Sequence, residues 1–318
     1  MNDTKHRVVD LFSGIGGLSL GLQKAGFDIV LAVDNWQPAI DIYEKNFTHP
    51  IVNADLNDVN NSVKLLKKYS PDIIVGGPPC QDYSAAGKRD EEGGRADLTI
   101  SFAEIVSKIK PQYFIMENVD MITRSKRYRQ ALDIFRRNGY GLTTKTLDAS
   151  LCGVPQKRKR HFVVGALGKD DNFMLKLIES KIANRPMTIR DYLGDKLEVD
   201  FYYRHPRNYN RRAVFSVDEP SPTIRGVNRP IPNGYKSHKN DANNDLKSIR
   251  PLTTKERSLI QTFPSEFELI GSKTNIEQAI GNAVPVNLGK FVGECLNEFI
   301  EYGCELTQIG RASCRERV

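Results

Sequence analysis

The first half of the chain repeats one pattern, in which a short apolar run ends on a polar or glycine-rich turn and a helical stretch follows. The runs cover residues 7–11, 29–33, 50–52, 72–75 and 113–116. Each run is too short for a helix and rich in Ile or Val, as strands buried on both faces are. The repetition predicts βαβ units, and therefore an α/β fold with a mostly parallel sheet and helices on both faces.

The second half changes character. Strand-like segments at 142–147 and 161–166 are expected to complete the sheet. From 181 to 271 the chain is rich in Arg, Asn, Pro and Tyr and has few long apolar periods, which predicts a smaller, irregular domain. Helical periodicity returns from residue 275. We therefore predict one large domain from residues 1–180 and 272–308, with the smaller domain inserted at 181–271.

The composition is that of a globular protein, with 318 residues of which 39% are hydrophobic and 27% charged. No uncharged apolar run approaches the roughly 20 residues that a membrane span needs. The start, residues 1–7, is polar and leads directly into the first strand-like run, without the apolar core of a signal peptide. These features predict a cytoplasmic protein without membrane association.

Positive charge is concentrated in the smaller domain. The chain has 46 Lys and Arg against 39 Asp and Glu, a formal charge of +7. Residues 201–250 hold ten Lys or Arg and four Asp or Glu, so that window alone carries +6. A basic region of this kind favours a polyanionic partner.

The cysteines and the last residues exclude other classes. The five cysteines, Cys80, Cys152, Cys295, Cys304 and Cys314, contain no C-x-x-C pair, so we predict neither a metal site nor a disulfide framework. Residues 309–318, IGRASCRERV, resemble the translated read-through of a sequencing-library adapter and are predicted to be non-native. Without them Cys314 is removed and the formal charge is +5.

Polar residues follow each of the five apolar runs. They are Asp10 with the FSGIGG loop, Asp34, Asp55, the GGPPC turn, and the pair Glu117 and Asn118. Because open α/β sheets bind ligands at the carboxyl ends of their strands, these residues are expected along one edge of the sheet.

The glycine loop predicts a nucleoside-containing cofactor. Gly14, Gly16 and Gly17 lie between a strand and a helix, where backbone can approach a ligand closely. Their spacing is not G-x-G-x-x-G, which disfavours a pyrophosphate. Asp34 lies 20 residues after Gly14, where such folds keep a carboxylate for a ribose diol, and Trp36 could stack on an adenine. The alternative is a tight turn beside a core tryptophan.

Cys80 and Glu117 have the residue types of a covalent catalytic site. Two glycines and two prolines precede Cys80, an unusual setting for a packing residue and a suitable one for a nucleophile. Glu117 ends the fifth run, where partial desolvation would raise its pKa and fit it to donate a proton. The alternatives are a small core cysteine and an ordinary strand-terminal glutamate.

The motifs together resemble the DNA cytosine-5 methyltransferases of the bacterial, restriction-modification type. The resemblance rests on DLFSGIGGLSLGL, GGPPCQDYS, MENV, QKRKR and AIGNAVPVNLG in this order, and it covers residues 8–303. It implies a Rossmann-like, S-adenosylmethionine-dependent methyltransferase fold and a cytosine that is flipped out of duplex DNA.

The resemblance also implies the ligands and their residues. S-adenosylmethionine, with S-adenosylhomocysteine as product, would be held by Phe12, Gly14, Ile15, Gly16, Gly17, Asp34, Trp36, Asp55, Pro78, Asn282 and Val284. Family members often carry Glu where this chain has Asp34. The catalytic residues would be Cys80, Glu117, Arg158 and Arg160. From the residue types alone, QKRKR could instead be a solvated basic loop.

Residues 181–271 would be the target recognition domain. Double-stranded DNA would be contacted by Gln81, Ser84, Arg204, Arg207, Arg211, Arg212, Thr223, Arg225 and Arg229, with Tyr202, Tyr203 and Tyr209 interleaved among the arginines. The bland alternative is a charged surface without base contacts. The resemblance further implies a monomer and a restriction endonuclease as possible partner.

Three other functions remain as alternatives. A dehydrogenase would need G-x-G-x-x-G and has no use for Pro-Pro-Cys. A tRNA cytosine-5 methyltransferase would share every catalytic residue, and only the long basic segment favours DNA over tRNA. A non-catalytic DNA-binding relative would lack the thiol of Cys80.

Overall fold

The computed structural model describes residues 5–79, 98–206, 208 and 210–303. Within this part of the chain, seven strands form one sheet in the order β3-β2-β1-β4-β5-β8-β6. The strands of this sheet are β1 (Arg7–Leu11), β2 (Asp28–Asp34), β3 (Ile51–Asn53), β4 (Ile73–Gly76), β5 (Tyr113–Val119), β6 (Tyr140–Asp148) and β8 (Lys159–Leu167).

The strand order reverses beside β1. From β1 the chain moves outward to β2 and β3, and it then returns to place β4 and β5 on the other side of β1. These five strands pair in parallel, whereas β8 pairs antiparallel with both β5 and β6. Such a reversal opens a crevice at the carboxyl ends of the two central strands, β1 and β4.

Helices cover both faces of the sheet. They are α1 (Gly17–Lys24), α2 (Gln37–Asn46), α3 (Val59–Lys67), α4 (described over Leu98–Ile109), α5 (Lys126–Arg137), α6 (Leu175–Lys181), α7 (Ile189–Leu193), α8 (Thr254–Ile260), α9 (Lys273–Asn282) and α10 (Val286–Tyr302). Val8 and Val9 are neighbours in β1, yet they belong to different apolar clusters. Val8 packs with α1, α6 and α10, and Val9 packs with α3, α4 and α5.

Short strands organise the segment between α6 and α9. A three-stranded sheet contains β9 (Phe201–Tyr203), β10 (Val214–Ser216) and β12 (Arg250–Pro251), and β11 (Ser221–Pro222) pairs with β7 (Gln156–Lys157). A third apolar cluster combines Ile15 and Ile42 with Ile224, Ile260 and Ile280. The segment predicted as the smaller domain therefore shares a core with the rest of the molecule, and its boundaries stay a prediction.

The predicted fold class is confirmed, with two local differences. The fifth strand continues past Met116 to Val119, so Glu117 lies inside the strand instead of at its end. Residues 156–160 are not a loop, because they form β7 and the start of β8. No helix in the described ranges is long and apolar enough to cross a membrane.

Candidate active site

A cavity of about 510 Å³ lies in the crevice where the strand order reverses. Its walls come from the ends of β1, β2, β4 and β5, from Arg160 of β8, and from the junction of α9 and α10. This volume is in the range of small-ligand sites. The cavity therefore brings together most of the polar strand ends that the sequence marks.

Some residues of the glycine loop line the cavity, and others pack against the rest of the protein. Phe12, Gly14 and Ile15 line the cavity, and a side chain at Gly14 would meet no atom within 4 Å. Gly16 and Gly17 are not among the residues that line it, and their predicted role toward a ligand stays a prediction. A Cβ at Gly17 would lie 2.1 Å from the Val284 carbonyl oxygen. Gly17 therefore allows the start of α1 to touch the segment between α9 and α10.

Asp34 closes the loop through its carboxylate. Oδ2 accepts a hydrogen bond from the Gly14 amide at 2.8 Å, and Oδ1 accepts from the amides of Asn35 at 2.8 Å and Trp36 at 2.9 Å. Asp34 and Trp36 both line the cavity. One carboxylate thus links the end of β2 to the glycine loop.

Asp55 has a different position from the predicted one. Its neighbours Ala54 and Leu56 line the cavity, but the Asp55 side chain is exposed and accepts hydrogen bonds from the amide and the side chain of Asn57. The carboxylate is therefore used in a local turn, and Asp55 itself is not among the residues that line the cavity.

The turn after β4 lies directly against β5. The Asn118 Nδ2 donates to the Pro78 carbonyl at 2.7 Å, and a Cβ at Gly77 would be 3.0 Å from Glu117 Oε2. Only a residue without a side chain brings the backbone this close to the carboxylate. Pro78 and Pro79 line the cavity, so the chain that leads to Cys80 is fixed beside Glu117.

Glu117 faces the cavity as a buried carboxyl group paired with one arginine. Arg160 Nε lies 2.8 Å from Glu117 Oε1, and both side chains are largely buried. Burial raises the pKa of Glu117 above its ordinary value, while the positive charges of Arg160 and Arg158 oppose that rise. The group can therefore hold a proton at a pH where an exposed glutamate would not.

Arg158 and Arg160 differ in what they contact. Along 156–160 the side chains alternate, with Gln156, Arg158 and Arg160 inside and both lysines exposed. Arg158 is not among the residues that line the cavity, and its predicted role beside the base stays a prediction. Its guanidinium donates to the carbonyls of Ile224, Gly281 and Ala283, each at 3.0 Å. Arg160 is therefore the arginine that reaches Glu117, and Arg158 fastens three backbone segments together.

The predicted residues near the end of the chain do reach the cavity. Asn282 and Val284 line it, together with Gln278. Sequence reasoning missed Gln278 and Ser13, and it assigned no role to Asp10 or Asn118 although it marked both at strand ends. Two features of the sequence could have indicated their roles in the site: Asn118 is next to Glu117, and Asp10 lies just before the FSGIGG loop.

Comparison with known proteins decides the family. A family model described as C-5 cytosine-specific DNA methylase matches residues 6–298. The chain belongs to this family.

Relatives share nearly the whole length of this methylase. It is 57% identical over 294 residues to the Type II methyltransferase M.HindV of Haemophilus influenzae, covering 92% of this chain and 97% of that protein. It is 55% identical to M.HgiDI of Herpetosiphon aurantiacus, covering 92% and 95%. The enzyme is accordingly a DNA cytosine-5 methyltransferase.

Solved structures share the fold of the methylase. The Dnmt2 methyltransferase of S. pombe matches with a TM-score of 0.70 at 18% identity, over 93% of this chain and 99% of that one. A putative DNA modification methyltransferase encoded within an Escherichia coli prophage matches with a TM-score of 0.69 at 22% identity, over 93% and 100%. The Rossmann-like methyltransferase architecture is therefore common to all three.

The basic segment of the methylase is attached, through Ile224, to the residues directly before β8. The Ile224 amide donates to Gln156 Oε1 at 2.9 Å, and its carbonyl accepts from Arg158. On the other side, a Cβ at Gly281 of α9 would lie 2.2 Å from the Gly226 nitrogen. The chain around Thr223 and Arg225 is thus held against the wall of the cavity.

The arginines of this segment fall into two groups. Arg211 and Arg229 are exposed. Arg212 forms a two-pronged pair with Glu219 and lies over the Phe215 ring, Arg204 donates to the Thr223 carbonyl, and Arg225 donates to the His205 carbonyl. Part of the positive charge of the segment is therefore engaged in hydrogen bonds and ion pairs within the segment itself.

Two of the interleaved tyrosines are core residues. Tyr202 and Tyr203 are each 1% exposed and belong to apolar clusters. β9 buries them on opposite faces, so their side chains pack inside the protein instead of lying among the arginines at the surface.

Several predicted residues lie outside the described ranges. They are the nucleophile Cys80, the DNA-contacting candidates Gln81, Ser84 and Arg207, Tyr209, and the segment 309–318. Their roles stay predictions.

Proposed function

We propose that the enzyme flips a cytosine out of duplex DNA and methylates its carbon 5 through a covalent intermediate on Cys80. The observation that supports this most is the buried Glu117–Arg160 pair, which faces the cavity beside the turn leading to Cys80. A proton donor next to a cysteine is what covalent activation of a pyrimidine requires.

The steps follow from the reactivity of the base. The Cys80 thiolate adds to carbon 6 of the flipped cytosine, and the negative charge that develops on ring nitrogen 3 is met by the Glu117 proton. Carbon 5 becomes enamine-like and takes the methyl group. Loss of the carbon 5 proton then restores the ring and expels Cys80. Arg160 holds Glu117 in position and adds positive charge beside the base.

S-adenosylmethionine would supply the methyl group, and the cavity fits it. Gly14 leaves open space at the loop, Trp36 offers an aromatic surface for an adenine, and Asp34 borders the same region. Buried oxygens of Asp10 and Ser13 in the cavity wall have no protein partner within the described ranges. Phe12, Ile15, Pro78, Asn282 and Val284 would complete the pocket.

Residues 201–251 would hold the duplex, in the cytoplasm where bacterial DNA lies. The exposed Arg211 and Arg229 suit phosphate contacts, and Thr223 and Arg225 lie on the stretch fastened against the cavity wall. The relatives named Type II methyltransferases support a place in a restriction-modification system, where a cognate endonuclease would cut the unmodified sequence.

Bisulfite sequencing of DNA from cells that express the protein tests this proposal. We expect methylated cytosines at one short sequence for the wild type and none for Cys80→Ala. Cys295→Ala is the matched control, because it removes a thiol buried in the core cluster, and it should retain the pattern. Calorimetric binding of S-adenosylhomocysteine to Cys80→Ala would show that its pocket is intact. Wild-type methylation by Cys80→Ala would contradict the covalent step.

The competing substrate is tRNA. A competition assay distinguishes the two substrates: duplex DNA and tRNA are offered together with S-adenosylmethionine that is labelled in its methyl group. The proposal requires label in DNA, and exclusive labelling of tRNA would overturn it.

A further inference from the structure

A second basic surface lies outside the basic segment, where β5 leads into α5. Residues 120–137 include six Lys or Arg against two Asp. Arg124 ends a short 3₁₀ helix that follows β5, and Lys126 and Arg129 lie at the start of α5. All three residues are exposed. These three residues, Arg124, Lys126 and Arg129, are called the β5–α5 surface below.

The cations at the two ends of α5 differ in their partners. Arg136, in the last turn, forms an ion pair with Asp171 at 3.0 Å. Arg124, Lys126 and Arg129 form no ion pair within the described ranges. The described part of the chain therefore leaves the positive charge at the start of α5 without a counter-charge.

The start of α5 is also an unfavourable place for cations. The first turn of a helix carries partial positive charge, so Asp and Glu stabilise it and Lys and Arg destabilise it. The first turn of α5 contains no acidic residue, whereas Arg136 and Arg137 occupy the last turn, where cations are favourable. Helix stability thus explains the arginines at the end of α5 and does not explain the cations at its start.

The end of β5 places this surface close to the cavity. Val119 is the last residue of β5 and lines the cavity, and the 3₁₀ helix (Asp120–Arg124) begins at the next residue. A 3₁₀ helix rises about 2 Å per residue, so Arg124 lies about 10 Å along the chain from the cavity wall. The β5–α5 surface is therefore at the same edge of the sheet as the cavity.

Tyr128 fixes the start of α5 to the strand that carries Arg160. The Tyr128 hydroxyl lies 2.7 Å from His161 Nε2, and Tyr128 is 5% exposed. His161 directly follows Arg160, which pairs with Glu117. The β5–α5 surface thus has a defined position relative to the Glu117–Arg160 pair.

The β5–α5 surface and the basic segment lie on different sides of the sheet. α5 packs on the face that contains Val9, and α10 packs on the face that contains Val8. The basic segment is held at the junction of α9 and α10, where Gly226 lies against Gly281. The two basic surfaces therefore flank the cavity.

We propose that the β5–α5 surface binds backbone phosphates of the duplex whose target cytosine enters the cavity. This inference rests on the proposed function, because it assumes duplex DNA with a flipped base. A flipped base stays joined to its strand, so the phosphates beside it must pass the mouth of the cavity. Phosphates of one strand are about 3.4 Å apart along the duplex, so those about three nucleotides from the target lie about 10 Å away. Lys and Arg bind such phosphates without reading sequence.

A variant that combines Arg124→Ala, Lys126→Ala and Arg129→Ala tests the surface. Fluorescence anisotropy of the full chain is measured over a range of salt with two duplexes, one that contains the sequence found by bisulfite sequencing and one in which that sequence is changed. We expect both affinities to fall by about tenfold or more, and the slope of log affinity against log salt to decrease by about two to three. The ratio of the two affinities should stay within about twofold, because phosphate contacts are independent of sequence.

The matched control combines Lys64→Ala, Lys67→Ala and Lys68→Ala. It removes the same charge from exposed residues at the end of α3. α3 leads into β4, so these lysines lie at the edge of the sheet opposite the cavity. Charges that are distant from the duplex are screened, so the control should change affinity by less than about twofold and keep the wild-type slope.

Duplexes with single neutral methylphosphonate linkages locate the contacts. In the wild type, a neutral linkage about three nucleotides from the target cytosine, on one side of it, should weaken binding several-fold. The surface variant should not respond at those positions, because the contact is already lost. It should respond like the wild type at the phosphates that the basic segment binds.

Melting temperatures separate this role from a structural one. The surface variant removes cations from the unfavourable end of α5, so its melting temperature should equal or exceed that of the wild type. A lower melting temperature together with unchanged DNA binding would assign these cations to the fold and overturn the inference.

The binding results separate the inference from the proposed function. A folded surface variant with the wild-type salt slope and the wild-type response to every methylphosphonate would overturn the inference and leave the proposed function in place. A loss confined to the duplex with the methylated sequence would indicate base contacts, and it would also overturn the inference. A wild-type protein that binds neither duplex would contradict the proposed substrate itself.

Discussion

The cavity and the basic segment at residues 201–251 place their functional side chains by different means. The cavity takes its groups from the ends of buried strands, as with Asp10 on β1, Asp34 on β2 and Glu117 on β5. The strands of the basic segment are two or three residues long, and polar contacts such as Arg212 with Glu219 hold its side chains. Buried apolar strands thus position the polar groups of the cavity, whereas polar contacts between side chains position the surface that is proposed to face DNA.

The two regions also treat charge in opposite ways. Two carboxyl groups of the cavity, Asp10 and Glu117, are buried with few counter-charges, and burial raises the pKa of both. Several arginines of the basic segment are instead satisfied by carbonyls or carboxylates of the same segment. Substitutions in the cavity should therefore change catalysis, and those in the segment should change stability or DNA affinity.

The largest effect is expected for Glu117→Gln. Loss of the proton donor should lower the rate of methyl transfer by about 10²–10⁴-fold while S-adenosylhomocysteine binding is retained. Because burial raises the pKa of Glu117, the wild-type rate should decline only at a pH above the ordinary glutamate range, where that proton is lost. Single-turnover rates across pH measure both effects.

Glu179→Gln is the control for this substitution. Glu179 forms an ion pair with Lys145 at 2.7 Å on the surface, so its loss should leave the rate within about twofold. A Glu117→Gln enzyme with the wild-type rate would show that chemistry in the cavity does not depend on the buried carboxyl.

A second effect should separate Arg158 from Arg160. Arg158→Ala removes a donor from three buried carbonyl oxygens, of which only that of Ala283 keeps a second donor, Gln261 Nε2. Each buried carbonyl left without a donor costs about 1–3 kcal/mol. We expect the free energy of unfolding to fall by about 3 kcal/mol or more, measured by urea denaturation. Arg160→Ala removes one arginine from a largely buried ion pair, but Glu117 can take up a proton in its place because burial raises the pKa of Glu117. It should therefore lower stability less than Arg158→Ala does, and it should mainly lower the rate. Equal stability losses for both variants would contradict the division between fastening and catalysis.

The smallest effect is expected for Arg229→Ala. Arg229 is exposed, so its loss should weaken DNA binding modestly and reduce the slope of log affinity against log salt by about one. Arg212→Ala removes an arginine that is paired with Glu219. It should lower the free energy of unfolding and leave the salt slope nearly unchanged. Fluorescence anisotropy at several salt concentrations gives the slopes. An unchanged slope for Arg229→Ala would place this residue outside the DNA interface.

The strands could be predicted from the sequence because their signal is local. The run at 7–11 coincides with β1, the run at 29–33 lies within β2, and the run at 72–75 overlaps β4 from residue 73. Each is a block of β-branched residues buried on both faces, and such a block needs no information from elsewhere in the chain. The strand ends then identify Asp34 and Glu117 as neighbours of one crevice.

Other features of the site depend on contacts that are distant along the chain, and these could not be predicted. Arg158 and Arg160 are both basic and two residues apart, and only their partners distinguish them: Ile224, Gly281 and Ala283 for one, Glu117 for the other. The close approach of Gly17 to Val284, 267 residues later, is a second such contact. Residue type and local spacing do not predict contacts between residues that are far apart along the chain.

The hydrogen bonds that attach Ile224 use only its main-chain atoms, the amide toward Gln156 and the carbonyl toward Arg158, while its side chain packs in the third apolar cluster. Any residue except proline can offer the same two groups. During divergence the neighbouring side chains can therefore be exchanged while the main-chain hydrogen bonds that attach this segment are kept. New sequence preferences can evolve on this enzyme while the reaction centre beneath them is left undisturbed.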